Sequence, residues 1–146
     1  MKIAIGNDHA GTNYKNEIES FLIKKNITVI NHGTNNNESV DYADYIHPVA
    51  KQVESKEVDM GIVICGSGNG ANMTANKHQK IRSALCWNKE IAELSRTHNN
   101  ANILSIPSRF VSLKESLEMV EVFIQTEFEG GRHLKRINKI PKKKNH

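Results

Sequence analysis

Residues 60–65, Met-Gly-Ile-Val-Ile-Cys, carry no charged side chain, and Gly66-Ser67-Gly68-Asn69-Gly70 follows at once. A continuously apolar run after Asp59 is what a strand buried on both faces requires, so residues 59–65 are expected at the centre of a sheet. Shorter apolar runs at residues 2–6, 27–31, 83–87 and 102–106 predict four more strands. Between them lie helical patterns. Residues 12–25 place Tyr14, Ile18, Phe21 and Leu22 on one stripe. Residues 42–55 form another, with Pro48 near the first turn or kinking it. Residues 71–78 and 89–97 follow. Residues 112–125 have Ser112 as N-cap and Glu115 closing a capping box. Gly130-Gly131 ends that pattern, and a short helix starts near Arg132. Strict alternation implies parallel strands, right-handed crossovers and helices on both faces.

The length, 146 residues, suits one domain with its own core. No repeat or linker interrupts it, so residues 1–140 are expected to form one unit. Residues 141–146 are expected to be a disordered basic tail. Residues 132–146 hold seven of the twenty Lys and Arg and no acid; the remainder has thirteen basic against sixteen acidic residues, a net −3. Charge is thus concentrated in one C-terminal segment rather than spread over a basic surface. No signal-peptide pattern opens the chain, and no apolar run approaches the ~20 residues of a membrane span. Cys65 and Cys86 are read as free thiols in a reducing compartment, which points to the cytoplasm.

In an open parallel sheet, ligands bind beyond the carboxyl ends of the strands. Strand one ends there in Asn7-Asp8-His9, and strand three in Cys65 and the glycine segment. Gly66, Gly68 and Gly70 free the backbone to wrap an anion with its N–H groups, or simply make a tight turn. The spacing is G-x-G-x-G after the third strand, with no acid ending the next strand, which argues against a dinucleotide site. Cys65 is either a small buried hydrophobe or a thiol poised as nucleophile or general base; Cys86 is assigned to the core. Asp8 and His9 would point to opposite faces of an extended strand, although either can reach a ligand from its end. His98-Asn99-Asn100 falls at the other end of strand five, so it does not join the Cys65 pocket within one chain by connectivity alone. Arg132 and Arg136, four apart on a short helix, repel unless an anion lies between them; a solvated basic helix is the alternative. His9, His47, His78, His98 and Cys65 show no metal-ligand spacing, so no metal site is expected.

Taken in order, Gly6-Asn7-Asp8-His9-Ala10-Gly11, Asp41-Tyr42, Cys65 to Gly70, Ala75-Asn76-Lys77, Ile81-Arg82, Ser95 to Asn102, Ser108-Arg109 and Glu129-Gly130-Gly131-Arg132-His133 make a specific set. In these the chain resembles the B-type ribose-5-phosphate isomerases, a superfamily that includes galactose-6-phosphate and allose-6-phosphate isomerases. The resemblance implies a Rossmann-like, three-layer α/β/α fold with a five-stranded parallel sheet. It implies a homodimer, sometimes a tetramer, whose active sites draw on both chains. It implies Cys65 as the base moving a proton between carbons 1 and 2, with Ser67 and the amides from Gly66 through Gly68 and Asn69 to Gly70 stabilising the enediolate. Asp8 and His98 would assist ring opening, Asn99 would hold a hydroxyl, His9, Arg132 and Arg136 would bind phosphate, and Arg109 would lie near the substrate. Neither metal nor organic cofactor is implied. Asn69 and Asn72 make the loop more polar than is usual there, and Pro107 stiffens the approach to Ser108; both bear on sugar preference. Three other functions fit parts of the pattern: an isomerase of a six-carbon sugar phosphate, a nucleotide-binding module, and a nucleic-acid binder using the basic C-terminus. The last is disfavoured by an aromatic content of 5%, so neither nucleic acid nor membrane is an expected partner.

Overall fold

Strands and helices alternate through residues 1–143, the part of the chain that the computed structural model describes. The strands are β1 (Lys2–Asn7), β2 (Thr28–Gly33), β3 (Met60–Cys65), β4 (Ser83–Leu85) and β5 (Ile103–Pro107). The helices are α1 (Thr12–Lys24), α2 (Tyr42–Glu54), α3 (Asn69–Ala75), α4 (Lys89–Thr97), α5 (Leu113–Gln125) and α6 (Arg132–Ile137). All pairings are parallel and the order is β2-β1-β3-β5-β4, so β3 is the central strand, as its apolar run requires.

Alternate strand side chains feed two cores. Ile3, Ile5, Ile62, Ile64, Leu104 and Ile106 pack with α1, α4 and α5. Ala4, Val63, Cys65 and Ile103 pack with α2 and α3 on the other face. Each fully buried Ile contributes roughly 1.5–3 kcal/mol through area removed from water. The sheet therefore sits between two helical layers, a three-layer α/β/α arrangement.

The capping box forms as expected: Ser112 Oγ accepts the Glu115 N–H at 3.0 Å and Glu115 Oε1 accepts the Ser112 N–H at 3.0 Å. Pro48 lies inside α2, beyond its first turn. Three boundaries differ from expectation. α3 begins at Asn69, because Gly68 takes φ 74° and starts the helix two residues early; it ends at Ala75, with turns carrying the chain on to His78. β4 stops at Leu85, since Asn88 turns out to cap α4 through its Ile91 N–H. β2 runs on to Gly33 through its pairing with β1. Of the expected tail, Lys142 exchanges hydrogen bonds with the Gln79 side chain (3.2 and 3.3 Å), and residues 144–146 lie outside the described residues.

Candidate active site

From β1 the chain crosses to β2 on one side of the sheet, while β3 lies on the other side of β1. The carboxyl ends of β1 and β3 therefore flank the topological switch point, where open α/β sheets leave a crevice. Asp8 follows β1 there, and its N–H still donates to Ile64 O (3.2 Å). The chain then leaves strand geometry. Asp8 Oδ1 accepts the Ala10 N–H (2.9 Å), which starts a 3-10 turn at His9–Gly11. That turn removes the strand alternation, so Asp8 and His9 line one cleft of about 480 Å³ together with Val40, Asp41 and Tyr42. Asp8 is thus both a cap and a cleft residue.

His9 is held in a defined tautomer. Its Nδ1 accepts the Val40 N–H (3.2 Å), so the ring proton sits on Nε2 and is free to be donated. The segment carrying Val40 is itself tied down: Thr12 Oγ1 donates to Asn36 O (2.8 Å), and the buried Lys15 ammonium donates to Asn35 Oδ1. Burial lowers the Lys15 pKa, and Glu19 partly opposes this.

Cys65 ends β3 at 5% exposure, in register with Pro107 of β5. Its carbonyl accepts the Ser108 N–H (3.0 Å), and Ser108 Oγ donates to Ala10 O (2.8 Å), which ties the ends of β1, β3 and β5 together. Arg109 lies over Gly66: its N–H donates to Gly66 O (3.0 Å), and a Cβ on Gly66 would stand 3.2 Å from its Nη1. Ser67 is exposed and its Oγ accepts the Asn69 N–H (3.3 Å), which leaves the hydroxyl proton available. The amides of Gly70 and Ala71, in the first turn of α3, have no intrahelical acceptor. Gly70 is required by close approach, since a Cβ there would fall 2.5 Å from the Tyr42 ring. The other thiol belongs to the core: Cys86 is fully buried, and burial pushes its pKa up to about 12.

The remaining candidates gather at the opposite edge. β5 begins at Ile103, paired with Gly61, and reaches Cys65 only at Pro107. The paired stretch from Gly61 to Cys65 covers about 13 Å at the usual strand rise. His98, the C-cap of α4, and Asn99 precede that start. Arg82 Nε donates to Asn99 O (3.1 Å) and Asn100 O (3.0 Å). Arg96 Nη1 donates to Asn100 Oδ1 (2.9 Å) and Ala101 O (2.6 Å). Burial lowers the pKa of both guanidiniums. The Glu129 N–H donates to Thr97 O (3.1 Å), which brings the Gly130-Gly131 turn and α6 to the same edge. There the His98 ring stacks on His133, with centroids 4.3 Å apart and planes 14° apart. Arg132 and Arg136 line a surface hollow with Lys135 and Lys139, with no acidic side chain among its walls.

One chain therefore assembles Asp8, His9, Cys65, Gly66, Ser67, Gly68, Asn69, Gly70 and Arg109 at the carboxyl edge. It assembles His98, Asn99, Arg132 and Arg136 at the amino edge. Four residues that lie beside these candidates were not assigned roles from sequence. The Val40 amide acts through its backbone and leaves no sequence signal. Tyr42, Glu129 and His133 stand inside recognisable motifs, and their positions there were the available signal.

A family model described as ribose/galactose isomerase matches residues 3–140. Ribose-5-phosphate isomerase B of Escherichia coli is 42% identical, over 95% of this chain and 93% of that protein. The solved structure of ribose-5-phosphate isomerase B from Clostridium thermocellum superposes with a TM-score of 0.95 at 51% identity, covering 96% of this chain and 95% of that one. The enzyme from Mycoplasma genitalium, solved with bound ribulose 5-phosphate, gives a TM-score of 0.92 at 40% identity, covering 95% and 93%.

Proposed function

The chain belongs to the ribose/galactose isomerase family, and from that premise we propose that it interconverts D-ribose 5-phosphate and D-ribulose 5-phosphate through an enediolate. The observation that carries this reading is the crevice at the β1/β3 switch point, where a thiol, a hydroxyl donor and free amides lie beside Asp8 and His9. Aldose–ketose isomerisation needs a base beside two adjacent carbons, donors for a developing oxyanion, and an anchor for the distal phosphate.

Cys65 takes the proton from carbon 2 of the open aldose and returns it to carbon 1. The Ser67 hydroxyl and the amides through Gly70 hold the enediolate oxygen; one such donor is worth about 2.7–4 kcal/mol. Asp8 and His98 assist ring opening, Asn99 holds a hydroxyl, and Arg109 lies beside the substrate. His9 donates its Nε2 proton to the phosphate, which Arg132 and Arg136 clamp through their planar forks. Anchoring the phosphate holds the reacting carbons in place.

The two sets of residues lie at opposite edges of the sheet, so the amino-edge set is supplied by a second copy of the chain. The working unit is then a homodimer or a tetramer, with two-fold related sites. Exposed Trp87 (54%), Phe110 (75%) and Leu134 (48%) offer apolar area for such an interface. Both cysteines are unpaired, as suits a reducing compartment, which supports a cytoplasmic enzyme; among the described residues no helix is long and apolar enough to cross a membrane.

Initial rates on ribose 5-phosphate, allose 6-phosphate and galactose 6-phosphate test the substrate. Ribose 5-phosphate should have the highest kcat/KM; a higher value for either six-carbon sugar overturns the pentose reading. His98→Asn tests ring opening. Ribose 5-phosphate is mostly a closed furanose, whereas ribulose 5-phosphate cannot close a stable ring. The variant should show a raised KM from ribose 5-phosphate and keep much of its rate from ribulose 5-phosphate. An equal large loss in both directions would assign His98 to the isomerisation step instead.

A further inference from the structure

His98 ends α4 and His133 lies in α6, with Glu129 one helical turn before it, yet one ligand atom from each lies within 4.8 Å of the other two. The backbones that carry them are already fastened. The Glu129 N–H donates to Thr97 O (3.1 Å), the His98 N–H to Leu94 O (2.9 Å), and the His133 N–H to Gly130 O (3.1 Å). His133 is 7% exposed, stacked on His98, with its Nε2 3.5 Å from Glu129 Oε2. It shares the inner face of α6 with Ile137, whereas Arg132, Lys135 and Arg136 are exposed. The helix's cationic face is thereby turned away from the trio.

Two imidazole nitrogens and one carboxylate oxygen are the donor set of a borderline-soft divalent cation. Zinc bonds nitrogen and oxygen at about 2.0–2.2 Å, so tetrahedral donors stand roughly 3.3 Å apart. Because a bound ion lies in the plane of each imidazole, the half-buried His98 ring turns out of its 14° stack on His133 to share one, and Glu129, on the exposed rim, has the freedom to follow. We propose that His98, Glu129 and His133 form a binding site for a divalent transition-metal cation, zinc by preference, and that its occupancy lowers activity by engaging the His98 imidazole. The binding half stands on the trio's geometry. The inhibitory half rests on the ring-opening role given to His98 above. A fourth position stays open to water, as in three-ligand zinc sites generally.

The test is zinc titration of the full-length Cys65→Ala protein against a colorimetric zinc chelator, so that the active-site thiol does not compete. One zinc per protomer is expected. Glu129→Gln and His98→Asn, each added to that background, should weaken binding by more than about tenfold. Glu129 is exposed, so its variant is not compromised by misfolding; unchanged affinity in Glu129→Gln overturns the site. Kinetics on the otherwise unaltered enzyme give the second reading. Zinc should inhibit turnover of ribose 5-phosphate more strongly than turnover of ribulose 5-phosphate, and Glu129→Gln should relieve this while keeping its basal rate. Equal inhibition with and without Glu129 would place the inhibiting metal outside the trio and overturn the proposal. Inhibition that requires Glu129 but is equal in both directions keeps the metal site and overturns the ring-opening role of His98.

Discussion

Around Cys65 the site is made of strand ends, and around His98 it is made of helix ends. At the carboxyl edge the backbone does most of the positioning. Ser108 joins the ends of β1, β3 and β5, Arg109 lies against Gly66, and the Val40 amide sets the His9 tautomer. At the amino edge, side chains reach back to carbonyls instead: Arg82 and Arg96 grip Asn99, Asn100 and Ala101, and a six-residue helix presents Arg132 and Arg136 to solvent. A strand end buried in a sheet can hold a reacting thiol within tenths of an ångström. Exposed arginines on a short helix hold charge in a region of space, which suffices for a phosphate but not for a proton transfer. On the proposed reading, proton transfer between carbons falls to the Cys65 edge, while the amino edge contributes the arginine clamp together with the His98 ring-opening group.

The largest expected effect isolates the chemical edge. Cys65→Ala should cut kcat by roughly 10²–10⁴ while KM stays near the parent value. Steady-state kinetics decide it, and a variant with full turnover would remove the thiol from the reaction. Next, the two edges should prove separable between chains. Cys65→Ala protein and an Arg132→Ala/Arg136→Ala double variant, each nearly inactive at low substrate, should regain about a quarter of parental activity when unfolded and refolded together. Half of randomly paired dimers are then mixed, and each mixed dimer keeps one intact site. Absence of any recovery would mean that both edges serve one chain.

A milder change should divide binding from turnover. Arg132→Lys and Arg136→Lys each keep the charge but lose the fork, so KM should rise several-fold with kcat little altered. A fall in kcat with unchanged KM would place these arginines in the chemical step. The smallest effect concerns the thiol that belongs to neither edge. Cys86→Ala should turn over at nearly the parental rate, and its signature should appear in alkaline stability. The Cys86 pKa rises from an ordinary 9.0 to about 12 through burial. Below pH 9 the thiol is neutral in both states and contributes no pH dependence. Above it the unfolded chain releases a proton that the folded protein keeps, so stability falls as pH rises toward 12. Urea midpoints of parent and variant should therefore converge between pH 8 and pH 10.5; parallel curves would show that the burial of Cys86 is incomplete.

Element order and type were legible in the sequence because both follow from local pattern. Apolar runs bounded by turn residues marked the strands, and Ser112 with Glu115 marked a helix start that the hydrogen bonds reproduce. α3 starts two residues before its pattern predicts, because a glycine at φ 74° permits a helix to begin where propensity alone places a loop. Cys65 and the glycines after it were visible for a similar reason, since a strand end and the turn it feeds are contiguous. Asp8 and His9 were individually visible, and either could reach a ligand from the strand end, although an extended strand would point them to opposite faces. Only the 3-10 turn, stabilised by the Asp8 cap, brings them into one cleft.

By itself, then, the sequence determined the parallel α/β alternation, the central position of β3, the capped α5, and the residues at each strand end. The tertiary structure alone decided which of those ends meet. The order β2-β1-β3-β5-β4 sets β1 beside β3 and so creates the crevice, and the β3/β5 register sets the span between the Cys65 and His98 ends, which connectivity had already put apart. The approach of Glu129 to Thr97 is what stacks His133 on His98, across a separation that no periodicity spans. The physical reason is range: side-chain periodicity and capping act over one or two turns, whereas strand order and register emerge from burying both faces of the whole sheet at once.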